Sequence, residues 1–244
     1  MSRWKASGIH LLLSAAIGGT LVIFMLTVWY PWPLFEAAGG SHLIFVLLGV
    51  DVTLGPLITL IIFKSGKKGL KFDLTVIALV QFAALAYGLH TVYLARPIYL
   101  TFTIDRFDLV TAKDFDPEDL AKVTNAQFKE LPLGRPRYAA VVVPENPDEK
   151  LKIITSALSG KDLQMYPQQY VPYDQEAGNA IQHSKPLDTL LKRAPEAVQA
   201  YLKSAGRSQD SVRFLPLRAT NKDAAVLIDA VSGRPLEILL VEPW

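Results

Sequence analysis

Three long apolar runs, Gly8 to Tyr30, His42 to Phe63 and Leu74 to about Leu94, fill the chain before Arg96, and after it the pattern breaks into short alternating or periodic stretches separated by polar turns. Each run reaches the roughly 20 residues that a helix rising about 1.5 Å per residue needs to cross the hydrocarbon of a bilayer. The pattern therefore predicts a membrane protein with three transmembrane helices, at about 8–30, 42–63 and 74–95. The first run is read as a retained helix rather than a signal peptide. Its apolar core exceeds the roughly 7–15 residues of a signal core, and the small residues Ala37, Ala38 and Gly39 lie well beyond it, after a Pro-rich turn. That turn, Trp29-Tyr30-Pro31-Trp32-Pro33, ends the helix and sets aromatic rings where the membrane meets water.

Beyond Arg96 the chain reads as one α+β domain with a mainly antiparallel sheet, giving two domains, 1–96 and 97–244. Ile98 to Ile104 and Phe107 to Val110 have strand composition. An apolar stripe, Leu120, Val123, Phe128 and Leu131, predicts a helix over Pro117 to Glu130. Tyr138 to Val143 reads as a buried strand, and Asn146 to Gly160 as a capped helix. Gln164 to Lys185 reads as a loop with a short helix near Asp174 to Ile181. Two short helices follow, Pro186 to Lys192 and Ala194 to Ser204. Three strands close the chain, Val212 to Ala219, Ala224 to Ala230 and Leu236 to Val241, the last two joined as a hairpin.

Charge then orients the membrane part. Arg3 and Lys5 at the N-terminus and the four lysines from Lys64 to Lys71 mark one side, whereas the loop from Leu34 to Ser41 carries only Glu36. By the positive-inside rule the N-terminus is cytoplasmic, and an odd number of spans places the second domain outside the cytoplasm, in the periplasm of a Gram-negative cell. The net charge of +2 and the lack of a basic stripe with interleaved aromatics argue against a nucleic-acid partner. With no cysteine, disulfides, thiol catalysis and cysteine metal sites are excluded together.

The second run carries a polar fault. Asp51 lies near the bilayer midplane, where an ionised carboxylate costs on the order of 2.5–3.5 kcal/mol on insertion scales. One turn later, Pro56 has no N–H to give to the carbonyl of Val52 and leaves an unpaired acceptor beside the carboxylate. Asp51 and Gly55 share a face by their i, i+4 spacing. In the third run Gln81 reaches a similar depth, with Tyr87 further on. Asp51, Gly55, Pro56, Gln81 and Tyr87 are thus the candidate partner-binding residues. Two readings stand side by side: Asp51 contacts another transmembrane segment, or it is satisfied within its own bundle by Gln81, Thr53 or Tyr87. A proton or ion pathway would require a relay of ionisable groups. Small-xxx-small pairs, Ser14/Gly18, Ala15/Gly19 and Ala84/Gly88, mark places where helices can approach closely.

No catalytic constellation emerges. His10, His42, His90 and His183 lack metal-ligand spacing, and there is no GxSxG, P-loop or GxGxxG, so neither a catalytic nor a metal site is expected and no cofactor is implied. Asp105, Asp108, Asp114 and Asp116 lack the spacing of a calcium loop and read as a solvated face.

Five blocks in order carry a resemblance: the head MSRWKASGIHLLLSA, the turn WYPWPLFEAAGG, the core GVDVTLGPLITLIIF, the loop KSGKKGLKFDL and the third run VIALVQFAALAYGLHTVYLARP, with Asp105-Arg106-Phe107 just beyond. Together they resemble the type IV pilin accessory protein family, the TfpX/TfpZ group, closely over the first 110 or so residues. The resemblance implies a non-enzymatic, chaperone-like inner-membrane protein that helps a cognate major pilin reach the surface as pili. Its partners would be that pilin, through its transmembrane helix and periplasmic head, and membrane lipid. Two readings from other classes are a membrane-anchored periplasmic sensor or ligand-binding module, which predicts a defined apolar pocket, and a transport component using Asp51.

Overall fold

The computed structural model describes residues 1–244, the side chains of Val46 and Val50 excepted. The first apolar run forms helix α1 (Arg3–Phe24), started by the Ser2 hydroxyl, which accepts from the N–H of Lys5, and continues as a π-helix through Met25–Trp29. A single helical turn, α2 (Leu34–Ala37), sits in the connecting loop, and Gly39 supplies the left-handed turn (φ 76°) into the next helix. The second run is one helical rod in three parts: α3 (Gly40–Leu48), a π-helical stretch Gly49–Leu54, and α4 (Gly55–Ile62). Helix α5 (Leu70–Ala95) follows the lysine loop, with Asp73 in its first turn paired to Lys67 at 2.6 Å. Two of these helices, Arg3–Trp29 and Leu70–Ala95, are individually long and apolar enough to cross a membrane. Their outward faces are lined with exposed Leu, Ile, Val and Phe, a surface compatible with lipid.

The remainder builds an eight-stranded sheet. Strands β1 (Pro97–Thr103), β2 (Arg106–Thr111), β3 (Arg137–Val141), β4 (Tyr170–Pro172), β5 (Lys185–Pro186), β6 (Val212–Arg218), β7 (Ala224–Asp229) and β8 (Pro235–Leu239) lie in the order β4-β3-β1-β2-β6-β7-β8. Strand β5 pairs with the start of β6, while β2 pairs with its end. The sheet is mainly antiparallel, as expected, but mixed: β1 with β3 and β2 with β6 run parallel.

Both faces are covered, because alternate residues of the central strands point to opposite cores. Leu215, Val226 and Ile228 face a cluster closed by α8 (Tyr173–His183), while Phe214, Ala225 and Leu227 pack under α9 (Leu187–Arg193) and α10 (Pro195–Ala205). A third cluster sits under α7 (Pro147–Ala157), where the rings of Tyr99, Phe115, Phe128 and Tyr170 meet edge to face at 5.3–6.1 Å.

Two expectations are corrected here. The helix expected over Pro117 to Glu130 is only one turn, α6 (Pro117–Leu120). Val123 and Phe128 are buried as the stripe required, but the chain between them is a series of turns, in one of which the Asn125 side chain accepts the N–H of Gln127. Nor is the acidic cluster simply a solvated face. Asp108 is 2% exposed and holds Arg106 at 3.2 Å and Arg218 at 2.6 Å, with Asp162 completing the group at 2.9 Å from Arg218. Burial pushes the Asp108 carboxyl up, against the pull of the two guanidiniums.

The helical part and the sheet are joined by specific contacts. Leu34 and Ala37 of α2 are buried in the same core as Leu217 and Ala224. The carbonyl of Ala37 accepts from the N–H groups of Asn221 (2.9 Å) and Lys222 (3.2 Å), and Lys222 pairs with Glu36 at 3.2 Å. On the other side the Trp29 indole N–H donates to the Leu133 carbonyl, and Arg135 donates to that of Thr27. Arg96, fully buried, stacks on Tyr93 and donates to the Tyr93 and Pro132 carbonyls. Of the aromatic turn, Trp32 remains exposed, but Tyr30 is buried and donates to the carbonyl of Val92, so it packs the bundle rather than lining an interface.

Candidate functional site

The fault in the second helical rod is resolved by a change of helical register. In a π-helix the carbonyl of residue i faces the amide of residue i+5, so the π stretch Gly49–Leu54 ends where the carbonyl of Asp51 would meet Pro56, which has no N–H. In this register the carbonyl of Asp51 is left without a backbone donor. Gln81 fills the gap: its Nε2 donates to the Asp51 carbonyl in a long bond of 3.4 Å.

Neighbouring side chains complete the repair. Thr53 donates to the carbonyl of Gly49 within the same rod. Ser7 of α1 donates to the carbonyl of Pro56 at 2.8 Å, and His10 Nδ1 lies 2.6 Å from the Thr59 hydroxyl. A buried backbone group left unpaired is costly, so this network, with Gln81, Thr53 and Ser7 donating to carbonyls, supports the irregular backbone. It also fixes how the three helices sit together. Gly55 and Gly18 make the approach possible: a Cβ at Gly55 would collide with the Gln81 amide, and one at Gly18 with the Leu48 side chain.

Of the candidate residues, Asp51, Gly55 and Pro56 are buried together and Gln81 is half-buried beside them. The side chains of Asp51 and Gln81 do not bond to each other; the main chain of Asp51 is the acceptor. Tyr87 does not join the site. It is 70% exposed, six residues and so about 240° around the helix from Gln81. Sequence reasoning missed Ser7, His10 and Thr59. Their spacing carries a signal only once α1 is known to lie against α4.

The carboxylate itself is left over. Asp51 is 8% exposed, and among the described residues no donor reaches its Oδ1. It borders a cleft of about 240 Å³ between α1 and α5, which also takes in His10, Ser14, Gln81 and Phe82. Among the described residues no group of His, Asp and Glu is arranged to hold a metal ion.

These features define a class: a protein with apolar helices compatible with membrane anchoring, polar at their packed centre, joined to a mixed sheet domain. Comparison with known proteins narrows the class. The family model described as fimbrial assembly protein FimB matches residues 1–39. The chain is 30% identical over 241 residues to the fimbrial assembly protein of serogroup I from Dichelobacter nodosus, covering 97% of this chain and 89% of that one. The serogroup E1 protein of the same organism is 29% identical over the same coverage. The protein of serogroups C1 and C2 is 36% identical over 119 residues, 48% of this chain and 90% of that one. The chain belongs to this family of fimbrial assembly proteins, consistent with the type IV pilin accessory family to which its motifs point. No solved structure matches it significantly.

Proposed function

We propose that this protein is a non-enzymatic, chaperone-like accessory of the inner membrane that promotes assembly or surface display of a cognate type IV pilin. In this reading Arg3–Trp29, Gly40–Ile62 and Leu70–Ala95 all cross the bilayer, the N-terminus and lysine loop are cytoplasmic, and the sheet domain stands in the periplasm. Kinship over nearly the whole chain with fimbrial assembly proteins is the observation that carries it. The locking of the α2 loop into the sheet core adds a mechanical reason. Membrane helices and domain are held as one piece, so a client with a membrane helix and a globular head could be gripped at both. Tethering in the bilayer raises effective concentration enough for weak contacts to suffice.

A ligand-binding reading has one observation in its favour, an apolar cleft of about 370 Å³ where Ile104, Val143, Ile153 and Ile154 meet. Because that cleft is bordered by the exposed apolar residue Ile154 of α7, with exposed Leu151 one turn before it, it serves equally as a protein contact surface, and the accessory reading absorbs it.

Two measurements test the proposal together. Reporter fusions after Gly66 should behave as cytoplasmic and fusions after Trp244 as periplasmic, and the tagged chain should co-purify the major pilin from mild-detergent membranes. A cytoplasmic C-terminus, or a pull-down free of pilin under conditions that keep the chain folded, would contradict it.

A further inference from the structure

The cleft beside Asp51 has the form of a seat for a helix. Its walls are His10, Leu13, Ser14 and Ile17 on α1, and Ala78, Gln81, Phe82 and Leu85 on α5. Both sets repeat as i, i+3, i+4, i+7, so each wall is one continuous helix face two turns long. Gly18, Leu48 and Asp51 form the floor. Ile17 and Phe82, at the two lips, are 51% and 71% exposed although they border the cleft. A volume of about 240 Å³ seats the side chains of one ridge of a helix lying across it.

We infer that this groove holds a transmembrane helix of a different protein, one carrying at the depth of Asp51 a side chain with a free N–H or O–H that donates to the unpaired carboxylate. The inference rests on the accessory reading and deepens it, by naming where in the membrane the pilin is held and by what chemistry. Complementarity carries the choice of occupant. An acyl chain offers no donor, and a buried carboxylate oxygen in hydrocarbon without one is costly. At the depth of Asp51 a second copy of this chain offers no free donor among the described residues. At that depth its outward faces present Leu12, Ala15 and Ala16 on α1 and Leu79, Val80 and Ala83 on α5. Of the exposed hydroxyls nearest in depth, Thr20 and Thr53 already donate to carbonyls of their own helices, those of Ala16 and Gly49, and Tyr87 stands six residues, about 9 Å, along α5 from Gln81.

The test places a photoreactive residue at one position of the full chain, co-expressed with the major pilin of the strain that carries it. Ile17 and Phe82 are the groove positions. Leu12 and Val80, on the opposite faces of the same helices and 70% and 60% exposed, are the controls. Pilin adducts are expected from Ile17 and Phe82 and not from Leu12 or Val80. Asp51→Leu should lower the Ile17 adduct about 3- to 15-fold, the range for one hydrogen bond between membrane helices, and Asp51→Asn, which keeps an acceptor, should lower it less. Ser14→Phe fills the groove while leaving residue 51 unchanged and should remove the adduct, so the outcome does not depend on one variant folding. Equal adducts from both faces, adducts only with a second copy of the chain, or yields indifferent to both Asp51→Leu and Ser14→Phe overturn the inference. If pili require the chain yet no groove adduct forms, the groove assignment fails and the accessory reading stands. If pili form normally without the chain, both fail.

Discussion

The side-chain amide of Gln81 occupies the place beside the Asp51 carbonyl that the missing N–H of Pro56 leaves empty, across from Gly55, whose lack of a side chain admits it. Residues of two helical segments thereby repair one break. Gln81→Leu should lower resistance to detergent unfolding by about 0.6 kcal/mol, and by no more than about 1.7, the measured span for single bonds of this kind. Gly55→Ala should cost more, about 1–3 kcal/mol, because the new methyl collides with the amide. In a Gln81→Ala background the same Gly55→Ala change should become nearly neutral. Fully additive effects in that double variant would mean that the two residues do not meet.

The bond from Asn221 to Ala37 ties the loop between the first two helices into the sheet, and Leu34 is only 4% exposed within that core. Leu34→Ala in the full chain should cost about 2–3 kcal/mol, the lower part of the range for buried leucines. For a chain of this size that corresponds to a fall of roughly 5–10 °C in thermal midpoint. The excised fragment 97–244 is long enough for its own core, yet it would uncover the surface on which α2 lies. It should fold cooperatively and melt below the intact chain. A fragment as stable as the intact chain would show that the α2 contact contributes nothing.

Asp229 caps the β7–β8 turn, where the backbone N–H of Ser232, then Arg207, holds its carboxyl well below the usual carboxylate range. A depressed value means that the carboxylate stabilises the fold fully above the unfolded value of about 3.9, and that this contribution is lost as pH falls through the folded value. Asp229→Asn should therefore lower the thermal midpoint by about 2–4 °C near pH 6, corresponding to a net loss of about 1 kcal/mol. The gap between variant and wild type should narrow steadily as pH falls from 4 towards 2. A gap that stays constant over that interval would rule out the charge as the cause.

The parts of the molecule legible in sequence are those fixed by local periodicity or depth. The three apolar runs became helices, and the matched depths of Asp51 and Gln81 brought them together. Strand composition located six of the eight strands, while β4 and β5 fall where a loop and a helix start were expected; the Val231 to Pro235 turn formed with Gly233 in the left-handed region (φ 71°). What escaped depends on contacts distant in sequence. The parallel pairing of β1 with β3 and of β2 with β6 has no local signature, because it is decided by what covers each face. The π stretch is invisible to a reading that assumes a uniform 3.6-residue period, and only the proline hints at it. The loop around Leu34 looks like a connector. Its burial becomes apparent only when the edge of β6 and the residues after it are in place. Tyr87 was a candidate partner for Asp51 as a polar residue of the third run, and helix geometry turns it away from Gln81.

The central claim, that the chain promotes assembly of a type IV pilin, is tested most directly by counting surface pili in a strain lacking the gene and in the same strain complemented with it, at matched levels of total pilin. The account predicts few or no assembled pili without the chain and recovery on complementation, with pilin still present in the membrane. Undiminished pili in the deletion strain would contradict it.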